Sequence, residues 1–146
     1  MGILARVHYD PAVAVTKSTA ALLAMTAMDI TNLRLTFTPT KTAVFVRLYG
    51  VLHGGTTVPQ ILMGVMSGAT IKGRGIPMIG GGNLAATSLI MAEAAFTVAV
   101  AAGVAETWDA AWAVETLVAG TGIKYGGPND ITANNAFGGF GFEVYE

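Results

Sequence analysis

The sequence predicts a single all-β domain: a β-sandwich, a jelly roll or a fibronectin-like fold. Three observations carry that expectation. Short segments alternate apolar and polar residues at the two-residue period of a strand. Glycine-rich turns separate them at short, regular spacing. The 146-residue length is that of one domain with one core.

Taken in order, the segment 16–30, "TKSTAALLAMTAMDI", is the best helix candidate and also suits an extended arm, so residues 1–30 are a candidate N-terminal arm. "LRLTFT" (33–38) sets Leu33, Leu35 and Phe37 against Arg34, Thr36 and Thr38, as in a half-buried strand. After "PTKT", the run "AVFVRLYGVL" (43–52) is rich in β-branched and aromatic residues, and the two segments form an expected hairpin. "QILMGVMS" (60–67) is a third strand, and "ATIKGRGIPMI" (69–79) an extended one made irregular by Gly73, Gly75 and Pro77.

Gly80–Gly82 and Asn83 mark a turn before "TSLIMAEAAFTVAV" (87–100), whose Ala and Met content also suits a helix. Its second half alternates, with Phe96, Val98 and Val100 on one face, and reads as a strand. "AETWDAAWAVETLV" (105–118) is coherent as a helix, but Gly103 and Gly120 bracket it at strand-plus-turn spacing. As a strand it places Trp108, Ala110, Trp112 and Val114 on one side.

The closing stretch "IKYGGPNDITANNAFGGFGFEVYE" (123–146) begins and ends as strands. Gly126, Gly127 and Pro128 impose a sharp turn, while Asn129, Asp130, Asn134 and Asn135 supply side chains that satisfy loop backbone. In the last strand Phe140, Phe142 and Val144 share one face, and Gly139, Gly141, Glu143 and Tyr145 the other. Glycines beside aromatics let something pack closely on that second face, either a part of the same chain or another subunit.

Charge is scarce. Charged residues make up 12% and hydrophobic ones 53%, about half the usual charged share of a globular domain. A surface so poor in charge is one that partners cover. Net charge is −1, which argues against nucleic acid as a partner. The charges divide unevenly: residues 1–74 carry seven cations and two anions, and residues 93–146 one cation and seven anions. Either the halves interleave and pair within one fold, or they form complementary faces that meet between subunits.

Chemistry-bearing motifs are missing. The absence of cysteine excludes disulfides and thiolate metal sites. His8 and His53 have no second imidazole at metal-ligand spacing. "GATIKGRG" (68–75) fails the phosphate-loop pattern, because Arg74 and Gly75 stand where Lys and Ser or Thr are needed. "GGGN" lacks the context of a dinucleotide fingerprint, and no serine sits in a nucleophile elbow. The carboxylates of Asp109 and Glu115, or of Glu93 and Glu106, read as solvated or salt-bridged. The loop at 126–135 lacks the acidic density of a calcium site. No cofactor is expected and the chain is not expected to be an enzyme. No apolar run reaches membrane-spanning length, and residues 1–10 do not form a convincing signal peptide, so a cytosolic origin and no membrane partner are expected.

The segments "FTVAVAAGVAETWDAAWAVET" and "IKYGGPNDITANNAFGGFGFEVYE" resemble parts of small β-rich virion structural proteins of tailed bacteriophages. The first also resembles a strand, turn and strand of a fibronectin-like sandwich, with Gly103 at the turn. The two cover about a third of the chain. The resemblance implies a non-enzymatic capsid decoration or cement protein located in the virion and made in the host cytoplasm. It would be a homo-oligomer, commonly a trimer, with the major capsid protein or another virion protein as partner. The alternative is a tail- or fibre-associated module, with host carbohydrate as its ligand. Candidate interaction residues are Arg6, His8 and Tyr9 in the N-terminal stretch, the aromatics Trp108, Trp112, Tyr125 and Tyr145, and the loop residues Asn129 and Asp130.

Overall fold

A computed structural model describes residues 1–17, 21–54, 60–77, 89–115, 123–127 and 139–146. These residues form eleven strands: β1 (Ile3–Tyr9), β2 (Val15–Lys17), β3 (Thr26–Ala27), β4 (Arg34–Phe37), β5 (Ala43–Gly54), β6 (Ile61–Ser67), β7 (Thr70–Arg74), β8 (Leu89–Ala99), β9 (Glu106–Val114), β10 (Ile123–Tyr125) and β11 (Phe140–Tyr145). They build two antiparallel sheets packed face to face, a β-sandwich. In the first, β5 is the spine: β8 lies along one side of it, β11 and β10 follow one another along the other, and β1 and β2 flank β11 and β10. In the second, β9 pairs with β6, β3 and β4, and β7 completes the β6 side.

Period-two alternation is what makes the layers adhere. Val44, Val46 and Leu48 on β5, Phe140, Phe142 and Val144 on β11, and Trp108, Ala110, Trp112 and Val114 on β9 all point into one core. Trp108 is fully buried, with its ring edge-on to Phe37 at 4.9 Å between centroids. Trp112, Tyr125 and Phe140 form a chain of edge contacts at 5.5 and 5.8 Å that ties the second sheet to the first. Such ring pairs add about 0.5–1.5 kcal/mol each beyond the burial of their area. The segment 105–118 is therefore a strand from Glu106 to Val114, with the two tryptophans on its inner face.

Two expectations are corrected. The segments 33–38 and 43–52 do not form a hairpin: β4 pairs with β9 in one sheet and β5 with β8, β10 and β11 in the other. The chain changes layer between them, held where Pro39 and Thr42 accept backbone hydrogen bonds from Gly103 and Val100. Alternation shows that both segments bury one face, and those faces meet across the core rather than side by side in one sheet. The segment 16–30 is not a helix; its described part holds β2, β3 and turns. Met25 and Met28 mimic helical spacing, yet Met28 enters the main core while Met25 lies on the outer face of the second sheet, with Leu62, Met66, Ala111 and Ala113. Helix propensity is a weak preference, and here β10 and β9 claim the backbone.

The described residues of 1–30 are woven into both sheets through β1, β2 and β3. The sharp turn expected after Tyr125 begins as predicted: Gly126 and Gly127 have φ of +66° and +74°. A Cβ on Gly127 would fall 2.3 Å from the Ala14 nitrogen, so the turn is seated on the segment after β1. The asymmetric charges interleave within the fold. Each ion pair among the described residues (Arg34–Asp109, Arg47–Glu93, Arg47–Glu143 and Lys72–Glu106) joins a cation of the first half to an anion of the second.

Candidate functional site

Among the described residues, the outer face of the first sheet gathers a group of polar side chains with mutual contacts. Alternation along β11 sends Gly141, Glu143 and Tyr145 outward, opposite the core-facing phenylalanines. Register then sets Glu143 between Arg6 on β1 and Arg47 on β5, and Gly141 between His8 and Tyr49. One strand further on, Glu93 of β8 lies opposite Tyr49.

Glu143 is buried, and both of its oxygens are engaged. The Tyr49 hydroxyl donates to Oε1 at 3.1 Å, the Tyr145 hydroxyl donates to Oε2, and Arg47 Nη1 stands 3.9 Å from Oε2. Arg47 also donates through Nε to Glu93 Oε1 at 2.7 Å and lies over the Tyr49 ring, 4.7 Å from its centroid. Glu93, with Glu143 adding to it, raises the Arg47 pKa and keeps the guanidinium charged. The hydrogen bond to Glu143 raises the Tyr145 pKa; for Tyr49 burial is the larger cause, followed by the same carboxylate.

This arrangement pins an anion in place. Each Glu143 oxygen faces one fixed donor, which orients the carboxylate without exhausting its lone pairs. Between β1 and this cluster opens a cleft of about 330 Å³ lined by Arg6, Val7, His8, Tyr49 and Glu143. Arg6 and His8 are exposed at its side, and Arg6 forms no ion pair among the described residues. Among the described residues no three His, Asp or Glu side chains are grouped to hold a metal ion, and no helix is long and apolar enough to cross a membrane.

The structure brings together three of the residues singled out from the sequence, Arg6, His8 and Tyr145. Tyr9 is half-buried against the core, and Trp108, Trp112 and Tyr125 lie inside it, with no ring face open to a ligand. Trp108 Nε1 is satisfied by Glu106 Oε2 at 2.7 Å, whereas the buried Tyr125 hydroxyl has no partner among the described residues. Burial raises the Tyr125 pKa well above the ordinary phenol range. Asn129, Asp130 and the rest of the loop beyond Gly127, as far as residue 138, lie outside the described residues.

Sequence reasoning passed over Glu143, Tyr49, Arg47 and Glu93 as a group. The alternation that sends Glu143 and Tyr145 outward was available, and so was the matching parity of Arg47 and Tyr49. What joins them is the pairing of β11 with β5, across roughly ninety residues of chain, which no local pattern announces. A second polar contact was equally hidden: Asp109, buried in the outer face of the second sheet, receives Arg34 Nε and Nη2 at 2.7 and 2.8 Å. That paired geometry raises the Arg34 pKa.

No family model, curated protein or solved structure matches the chain.

Proposed function

We propose that this protein is a non-enzymatic virion structural protein that decorates and cements the shell of a tailed phage as a homo-oligomer. The observation that carries this reading is the surface left over once the fold has paired its charges. Eight large apolar side chains among the described residues remain more than half exposed: Met1, Ile3, Val13, Leu23, Ile30, Ile76, Met91 and Val104. Arg34, Arg47 and Lys72 are meanwhile spent on partners in the same chain. Apolar side chains exposed in a chain that is only 12% charged favour contact with other protein surfaces where they gather.

The mechanism is mechanical. A sandwich that binds the assembled shell and not its separated subunits stabilises the shell by mass action. An interface of standard size, about 1,600 Å² in total, is enough for stable attachment. The resemblance of the segments 96–116 and 123–146 to phage virion proteins supports the same reading. Co-sedimentation tests it: purified chain added to shells lacking it should pellet with them and raise their melting temperature. A chain that stays in the supernatant would count against it.

The second reading, a tail- or fibre-associated carbohydrate module, is favoured by the cleft beside Glu143. Arg6, His8, Tyr49 and Glu143 line it, and these are side chains that hydrogen-bond sugar hydroxyls. Glycan binding that is lost on Arg6→Ala, with the fold retained, would select this reading over the first.

A further inference from the structure

Among the described residues the first sheet has two unpaired edges, and they differ in the way that matters for joining. At one edge β8 pairs only with β5 among the described residues, leaving the other side of an 11-residue strand unpaired. Strands left at an edge are normally protected by lysine, proline, a bulge or short length. β8, with sequence LIMAEAAFTVA, has no lysine or proline and pairs with β5 without a register shift. Its outward-facing residues Met91, Glu93, Ala95, Thr97 and Ala99 are exposed, mostly small, and carry one charge, the anion Glu93. At the opposite edge β1 pairs only with β11 among the described residues. Its outward-facing residues include Arg6 and His8.

On the outer face Arg6 on β1, Glu143 on β11 and Arg47 on β5 stand in one row, and Arg47 reaches diagonally to Glu93 on β8, which lies opposite Tyr49. The series begins with a cation and ends with an anion, so a second copy placed beside the first continues it. Direction agrees as well. β1, β11, β5 and β8 are successively antiparallel, so the next copy's β1 runs antiparallel to β8 and extends the same ladder.

We propose that β8 of one copy pairs antiparallel with β1 of a second copy, with Arg6 opposite Glu93, joining the chains head to tail through a continuous sheet. This register sets His8 opposite the exposed Met91 on the outer face, and Val7 and Tyr9 opposite Ala92 and Ile90 on the inner one. Every side chain then stays on its own face, because a strand shifted by one residue would turn its apolar side to solvent. Opposite charges directly across a seam favour the pairing, and like charges there disfavour it. The contact is heterologous, so repetition closes a ring or builds a filament according to the rotation per copy. The inference rests on the homo-oligomeric part of the proposed function and does not require the shell.

Light scattering on the purified full chain tests it. The expected result is a particle of several 15.0 kDa chains, dissociated by Arg6→Glu or by Glu93→Arg and restored when the two substitutions are combined. Because the chain has no cysteine, His8→Cys with Met91→Cys should give interchain disulfides under oxidation, while either substitution alone gives none. This second test holds even if a charge-reversed variant fails to fold. A wild-type chain that is monomeric overturns both the seam and the homo-oligomeric reading. An oligomer indifferent to the charge reversals, without cross-links in the double-cysteine variant, overturns the seam alone.

Discussion

Tyr49 and Gly141 face each other across β5 and β11, and the tyrosine ring occupies the space a side chain at 141 would need: a Cβ there would lie 2.3 Å from the ring's Cζ. This is the close approach expected from glycines beside aromatics in the last strand, made by the same chain. Gly141→Ala should push the ring aside, weaken its hydrogen bond to Glu143 and cost about 1–3 kcal/mol, the range for overpacking. Denaturant unfolding measures that cost. In a Tyr49→Ala background the same substitution should cost clearly less, because the obstacle is gone. Gly2→Ala, where a Cβ meets nothing within 4 Å, serves as a control without effect.

Trp108 is fully buried and edge-on to Phe37. Trp108→Ala should therefore cost about 3–5 kcal/mol by opening a cavity between the sheets. Chemical denaturation of the variant checks this. A loss under 1 kcal/mol would mean that the ring does not stand in the core.

The tyrosines give a prediction in alkali. Tyr49, Tyr125 and Tyr145 have raised pKa values, so in the folded protein they should ionise above the ordinary value of about 10, with Tyr125 last. A raised folded pKa means that the stability linked to the protonated phenol is complete below that ordinary value and is lost as pH rises through the folded one. Absorbance of tyrosinate against pH follows the titration. In Glu143→Gln, Tyr145 should fall back further than Tyr49, because the carboxylate is the main cause for Tyr145 and burial the main cause for Tyr49.

Lys17 is a buried cation whose described hydrogen bond runs from Nζ to Thr26 Oγ1 at 2.5 Å. Burial lowers its pKa. The unfolded chain therefore binds the proton more tightly, and the stability withheld by the charged form returns as pH rises from the folded pKa toward the ordinary value of about 10.4. Lys17→Met should stabilise the protein at neutral pH, with an advantage that shrinks as pH increases. Melting temperatures of both proteins across that range measure the difference.

The strands and their buried faces were legible wherever alternation was clean. Phe140, Phe142 and Val144 were assigned to one face of the last strand, and Trp108 and Trp112 to one face of theirs; each set is buried as a set. Which strand lies beside which was not legible. The segments 33–38 and 43–52 have the pattern of a hairpin, because a corner between layers and a turn within one sheet bury the same residues. The helical reading of 16–30 failed for a related reason: Ala, Leu and Met favour a helix locally, while the tertiary partners of Lys17 and Met28 are far off in sequence. The site around Glu143 depends on the same long-range pairing. Its residues were visible singly, and their conjunction appears only when β1, β11 and β5 are set in register.

Electron cryo-microscopy of virions carrying this chain, intact and after staged dissociation, would show whether the sandwich sits on the shell. A decoration protein should give density for the sandwich repeated over the capsid lattice, with neighbouring copies in contact and shells that weaken when it is removed. Density confined to the tail or to a fibre would contradict the shell assignment and make the cleft beside Glu143 the next site to mutate.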